Sequence, residues 1–141
     1  MAKNIVFKEA EFISLPVPVG TKAGTAVRVG ALNAITVTAE ASVTETIQLG
    51  AGMSLVQVSG AIAGNGPGFA SCALHGSAIL PVTGAVTAIG APIYIKASDN
   101  SLSVTAGAGF KQFGVALATK TAPLAGLHVK IINSGLSADA V

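Results

Sequence analysis

The residues with the types needed for covalent chemistry gather in one short stretch of this chain: Ser71, Cys72, His75 and Ser77. Nucleophilic catalysis needs a hydroxyl or thiol beside a base, with a third group to orient that base. His75 and His128 are the only imidazoles, and no Gly-x-Ser-x-Gly elbow is present. On a strand, the spacing of Cys72 and His75 puts their side chains on opposite faces, which argues against a thiol–imidazole pair. As a metal site the same pair supplies two ligands and His128 a third, with no second thiolate to close the tetrahedron. Cys72, the only cysteine, excludes an intrachain disulfide and reads as a small core residue beside Leu74.

Other chemistries fare no better. The six acids, Glu9, Glu11, Glu40, Glu45, Asp99 and Asp139, are scattered, and Asp99 beside Asn100 reads as a turn former. Gly107-Ala108-Gly109-Phe110-Lys111-Gln112 has the glycines of a phosphate loop without its Gly-Lys-Ser/Thr ending. Lys22, Arg28, Lys96, Lys111, Lys120 and Lys130 are spread one per loop or strand, whereas a nucleic-acid surface clusters its cations and adds stacking aromatics. The expectation is a protein that is not an enzyme, with no cofactor, no metal and no nucleic-acid partner.

Composition points to association instead. The chain is 51% hydrophobic and only 10% charged, against roughly 25% charged in soluble domains. No charged residue occurs between Thr46 and Ile95. Polar residues, prolines and glycines nevertheless interrupt every window of the ~20 apolar residues that a spanning helix needs. Met1-Ala2-Lys3-Asn4 places charge where the apolar stretch of a signal peptide would start, so a protein made in a cytoplasm is expected. A low-charge exterior, with a net charge of +2, suits a surface covered by other protein chains.

The elements that must present such a surface are short strands. A stretch from Leu15-Pro16-Val17 to Val37-Thr38-Ala39 is repeated from Leu80-Pro81-Val82 to Val104-Thr105-Ala106, at an offset of about 65 to 67 residues, as an internal duplication would leave. Each copy reads as a hairpin. Alternation puts Val27, Val29, Ile35 and Val37 on one side in the first copy, and Ile93, Ile95, Leu102 and Val104 in the second.

Residues 1–12, with Lys3, Lys8, Glu9 and Glu11 around Ile5-Val6-Phe7, fit an arm on a neighbouring subunit, a frayed terminus or an edge strand. A single β domain follows over 13–132, and 133–141 reads as a loose tail. Pro16 and Pro18 exclude a central strand position for the first extended segment. Val43 to Leu49 and Leu55 to Ser59 are strands, with Glu45 on an otherwise apolar side. Gly64-Asn65-Gly66-Pro67-Gly68 is a loop, and Phe69 to Leu80 holds two strands broken at His75-Gly76. Phe113, Val115 and Leu117 alternate with Gly114 and Ala116, and Leu127, Val129 and Ile131 with His128 and Lys130. About ten short strands recurring roughly every 10 to 14 residues, without helical periodicity, give an all-β chain folded as a compact β-sandwich or small barrel.

Several segments in this order carry a likeness: Met1-Ala2-Lys3-Asn4 with Phe7 and Lys8, Leu15-Pro16-Val17, Gly24-Thr25-Ala26-Val27-Arg28-Val29-Gly30, His75-Gly76-Ser77-Ala78-Ile79-Leu80-Pro81-Val82, Gly90-Ala91-Pro92-Ile93-Tyr94, and Phe113-Gly114-Val115-Ala116-Leu117. Over nearly its whole length the chain resembles the small head-decoration, or capsid cement, proteins of tailed bacteriophages. It departs from them at Ala91, where an acidic residue is expected, and in its pI of about 8.9, so no surface charge is carried over.

The resemblance implies a compact β domain on the virion exterior. It would bind the major capsid protein of an expanded phage head, often as a homotrimer, and bridge capsomers. Phe7, Phe12, Leu15, Pro16, Val17 and Pro18 are the candidate contacts to the shell or to sister subunits, because their apolar side chains fall in or beside an otherwise polar terminus. The alternative is a sugar-binding module on a virion or cell surface, for which Tyr94 is the one candidate aromatic.

Overall fold

The computed structural model of the chain describes residues 12–42, 44–58, 64–121 and 126–133, with backbone alone for 44–49 and 54–58. It is all-β, as the strand pattern predicts: eleven strands and no helix among the described residues. They are β1 (Phe12–Pro16), β2 (Ala26–Val29), β3 (Leu32–Thr36), β4 (Thr44–Gly50), β5 (Met53–Val58), β6 (Phe69–Ala73), β7 (Ser77–Thr83), β8 (Pro92–Lys96), β9 (Leu102–Ser103), β10 (Phe110–Ala116) and β11 (Gly126–Ile131). Four strands form an open antiparallel sheet in the order β1-β6-β3-β2. Five close into a small barrel, β10-β11-β7-β9-β8, in which only β7 and β9 run parallel. The remaining pair, β4 and β5, forms a two-stranded ribbon.

Strict alternation builds the barrel wall. Leu127, Val129 and Ile131 of β11 are buried while His128 and Lys130 face out, as their spacing predicts. They meet Leu80, Val82, Ile93, Ile95, Leu102 and Phe113 in one core. The second predicted hairpin holds as well: Ile95 sits opposite Leu102, both buried. Its turn is the expected one, with Asp99 Oδ1 accepting from the Ser101 amide at 3.0 Å and Asn100 taking a left-handed φ of 58°.

The first hairpin corrects the reading of its alternation. Val27 pairs with Ala34 and Ala26 with Ile35, so Ile35 lies on the face away from Val27, and Val37 falls beyond the strand, 47% exposed. Both faces of this hairpin are covered. Ala26 and Ile35 join the barrel core, whereas Val27 and Ala34 join a second core with Leu15, Val17, Ala70 and Cys72. A strand buried on both faces carries no polar alternation from which its register could be read. The two repeated segments also differ in neighbours: β7 pairs with β9, but its counterpart β1 pairs with β6.

β10 holds the second correction. Gln112 opposes Tyr94 and Gly114 opposes Ile93, leaving Phe113 as the extra residue of a bulge. The bulge shifts the parity of the strand. Phe113 and Ala116 are therefore fully buried, while Val115 and Leu117 are only half-buried.

Sheet and barrel are locked by amides as well as by Ala26 and Ile35. The buried Asn33 side chain donates to the carbonyls of Gln112 (2.9 Å) and Ile132 (2.9 Å) and accepts from Arg28 Nη1 at 2.6 Å. Asn133 Oδ1 accepts from the Asn33 amide at 2.7 Å, and Asn133 Nδ2 donates to the carbonyls of Asn33 and Leu74. Asn133, placed by its sequence at the start of a loose tail, is thus held in the seam. Phe7 and the rest of 1–11, and 134–141, lie outside the described residues.

Candidate functional site

The cluster suggested by residue type does not assemble into chemistry. Cys72 is fully buried on β6, its thiol donating to the Ala70 carbonyl at 3.4 Å. Burial pushes the thiol up to about 11, so a thiolate is not formed at neutral pH. His75 sits in the bend after β6, as the sequence places it. His128 shares a 2.9 Å hydrogen bond with Ser77 Oγ on the exposed barrel wall. The two acids whose side chains are described, Glu40 and Asp99, are engaged with Ser42, Gly20 and Gly68 and with Ser101 and Lys96 respectively. No group of three metal-ligating side chains occurs among the described residues.

What the fold does present is an open sheet face. Val17 N donates to the Gly68 carbonyl at 2.9 Å, so the odd positions of β1 turn their amides toward β6 and the even ones turn theirs toward the outer edge. Pro16 and Pro18 occupy even positions, where a missing N–H costs no sheet hydrogen bond. The edge placement inferred from these prolines is the one observed. The other outer edge, β2, is capped where the Arg28 amide donates to Asn100 Oδ1 at 3.1 Å.

Side chains alternate along β1 in the same way. Leu15 and Val17 are 7% and 8% exposed and belong to the sheet's own core, which removes them from the candidate contact set. Phe12 (60% exposed), Pro16 and Pro18 face outward. The register sets Phe12 opposite Ala73, Ser14 opposite Ser71 and Pro16 opposite Phe69, itself 40% exposed. Phe12, Pro16 and Phe69, with the exposed Val37 beside Ser71, therefore form an apolar frame. Phe69 and Val37 were missed by sequence reasoning, because only cross-strand pairing brings them next to β1.

The centre of that frame is polar and closed. Ser14 Oγ donates to Asn65 Oδ1 at 2.7 Å, and Asn65 Nδ2 donates to Ser71 Oγ (3.0 Å) and Thr38 Oγ1 (3.2 Å). Beside it Glu40, with no exposed surface, accepts from the amides of Gly68 (2.7 Å), Ser42 (3.0 Å) and Gly20 (3.4 Å) and from Ser42 Oγ. These hydrogen bonds, the Ser42 hydroxyl foremost, hold its carboxyl down to about 2. One carboxylate thus ties together Gly20, Ser42 ahead of β4 and Gly68 just before β6.

A concavity of about 270 Å³ lies at the seam of sheet and barrel, between Ala26, Val82, Thr83, Asn100 and Leu102, with no ionisable group in its wall. Hydroxyls stand at both places, Ser14 and Ser71 on the open face and Thr83 in the cleft, but no imidazole, thiol or amine does. Neither family models, curated proteins nor solved structures yield a match to the chain.

Proposed function

We propose that the chain is a structural virion protein that binds the outer surface of an assembled, expanded phage head and stabilises it by bridging capsomers. The observation that supports this most directly is the open β1–β6 face, where Phe12, Pro16 and Phe69 stand exposed around a closed polar centre. An uncharged surface with an apolar rim around a satisfied polar centre suits a protein partner. A ligand that binds the mature lattice and not its separated subunits stabilises the lattice by mass action, and an ordered shell offering many sites adds multivalency.

The test is co-sedimentation of the purified protein with heads that lack it, expanded and unexpanded. Saturable pelleting with expanded heads alone is the expected result. Pelleting with neither form would sink the proposal and turn attention to a glycan screen. Deleting residues 2–12, which removes Phe7 and Phe12, is expected to weaken decoration, and undiminished decoration would remove that segment from the contact.

A further inference from the structure

We infer that Asn65–Gly66 is a deamidation site which the folded chain protects, so that its conversion records opening of the β1–β6 face. Of the five asparagines, Asn4, Asn33, Asn65, Asn100 and Asn133, only Asn65 precedes a glycine. Asparagine is thermolabile because the next residue's backbone nitrogen can attack its side-chain amide, and a glycine there has no Cβ to obstruct the approach. The Gly66 nitrogen bonds to Asn65 Cγ, the Cγ–Nδ2 bond breaks and ammonia leaves. Water then opens the resulting succinimide on either side, giving aspartate or isoaspartate.

The attack requires the Asn65 amide to turn toward its own backbone, and in the folded chain three other segments hold it. Ser14 Oγ on β1 donates to Oδ1 at 2.7 Å, while Nδ2 donates to Ser71 Oγ on β6 at 3.0 Å and to Thr38 Oγ1 beyond β3 at 3.2 Å. The Thr38 hydroxyl is itself fixed, accepting from the Ser71 amide at 3.0 Å. The Gly66 carbonyl accepts from the Phe69 amide at 3.1 Å, which pins the residue that carries the nucleophile. Asn65 is only 9% exposed. Freeing its amide means parting β1, β6 and the Thr38 segment, so attack waits on a local opening of this face.

Refolding does not reverse the conversion. An aspartate at 65 has no N–H for Ser71 and Thr38 and brings a charge to a polar centre of hydroxyls and one amide. An isoaspartate instead adds a backbone methylene between Gly64 and Phe69. A chain that has opened and reacted therefore refolds without the hydrogen bonds that close the β1–β6 face.

The test is peptide mapping of the full chain after incubation at mildly alkaline pH, native and in urea. In urea Asn65 should convert first among the asparagines, and in the native protein its rate should fall by at least roughly tenfold, following the open fraction. Equal native and urea rates, or another asparagine converting first in urea, overturns the inference. Gly66→Ala, whose Cβ meets nothing within 4 Å and whose φ lies outside the left-handed region, should fold as the wild type does and slow conversion at Asn65 in urea. Undiminished conversion there refutes attack by the Gly66 nitrogen. Ser14→Ala, at an exposed position, removes one hydrogen bond from the amide. Native conversion at Asn65 should then rise several-fold while the rate at Asn100–Ser101, in the β8–β9 turn, stays as in the wild type. An unchanged rate at Asn65, or equal acceleration at both places, refutes protection by these bonds.

Discussion

A carboxylate with no water around it stays charged only when hydrogen bonds replace that water, and Glu40 accepts four of them from three separate segments. Its carboxyl is held down to about 2, well below its ordinary value of 4.5. The folded state thus binds this proton less readily than the unfolded chain. The stabilisation is complete above the ordinary value and is lost as pH falls from there through about 2. Glu40→Gln should lower the urea midpoint at neutral pH, and the gap from wild type should close across that acid window. A gap independent of pH would show that the charge itself contributes nothing. Cys72 gives a second test at this scale: its raised thiol and zero exposure predict labelling by a maleimide orders of magnitude slower in the folded protein than in urea. Comparable rates would mean that β6 opens readily.

Among the elements, β10 depends on one glycine. A Cβ at Gly114 would lie inside the carbonyl oxygen of Lys130 and 3.0 Å from its carbonyl carbon. Both atoms are backbone of β11, so Gly114→Ala must push two barrel strands apart. A loss of about 3 kcal/mol in chemical denaturation is expected, and a change within ~0.5 kcal/mol would mean that the bulge absorbs it. This strand also shows where the sequence is legible. β11 declares itself because one side faces the barrel core and the other water, so polarity alternates with geometry. β10 looks equally regular, but the bulge at Phe113 reverses its parity without any local signal. β2 and β3 hide their register for a different reason, being covered on both faces. At the candidate site, Pro16 and Pro18 announced an edge strand, and Phe12 and Pro16 do face outward, whereas Leu15 and Val17 turned out to be core. Asn65, Ser14 and Glu40 left no trace in the pattern, because contacts across 20 to 51 residues of chain have no sequence period.

At the scale of the whole molecule, two cores share one hairpin. Ala26 and Ile35 belong to the barrel core, Val27 and Ala34 to the sheet core, so neither core can lose β2–β3 and remain intact. Asn33 reinforces the seam, since its side chain satisfies carbonyls on both Gln112 and Ile132 while accepting from Arg28. A chain of this size with such a seam should unfold as one unit. The only tyrosine, Tyr94, reports on the barrel through β8, and the only cysteine, Cys72, reports on the sheet through β6. In urea, Tyr94 fluorescence and Cys72 labelling should give the same midpoint in the wild type. Asn33→Ala takes the side-chain donor from those carbonyls and one acceptor from Arg28, at a cost of about 3 kcal/mol. Because the loss falls on the seam and not within either core, the two midpoints should separate, with Cys72 becoming reactive at lower urea than the fluorescence change. If they shift together, the shared hairpin alone couples the cores, and the amide node only adds stability.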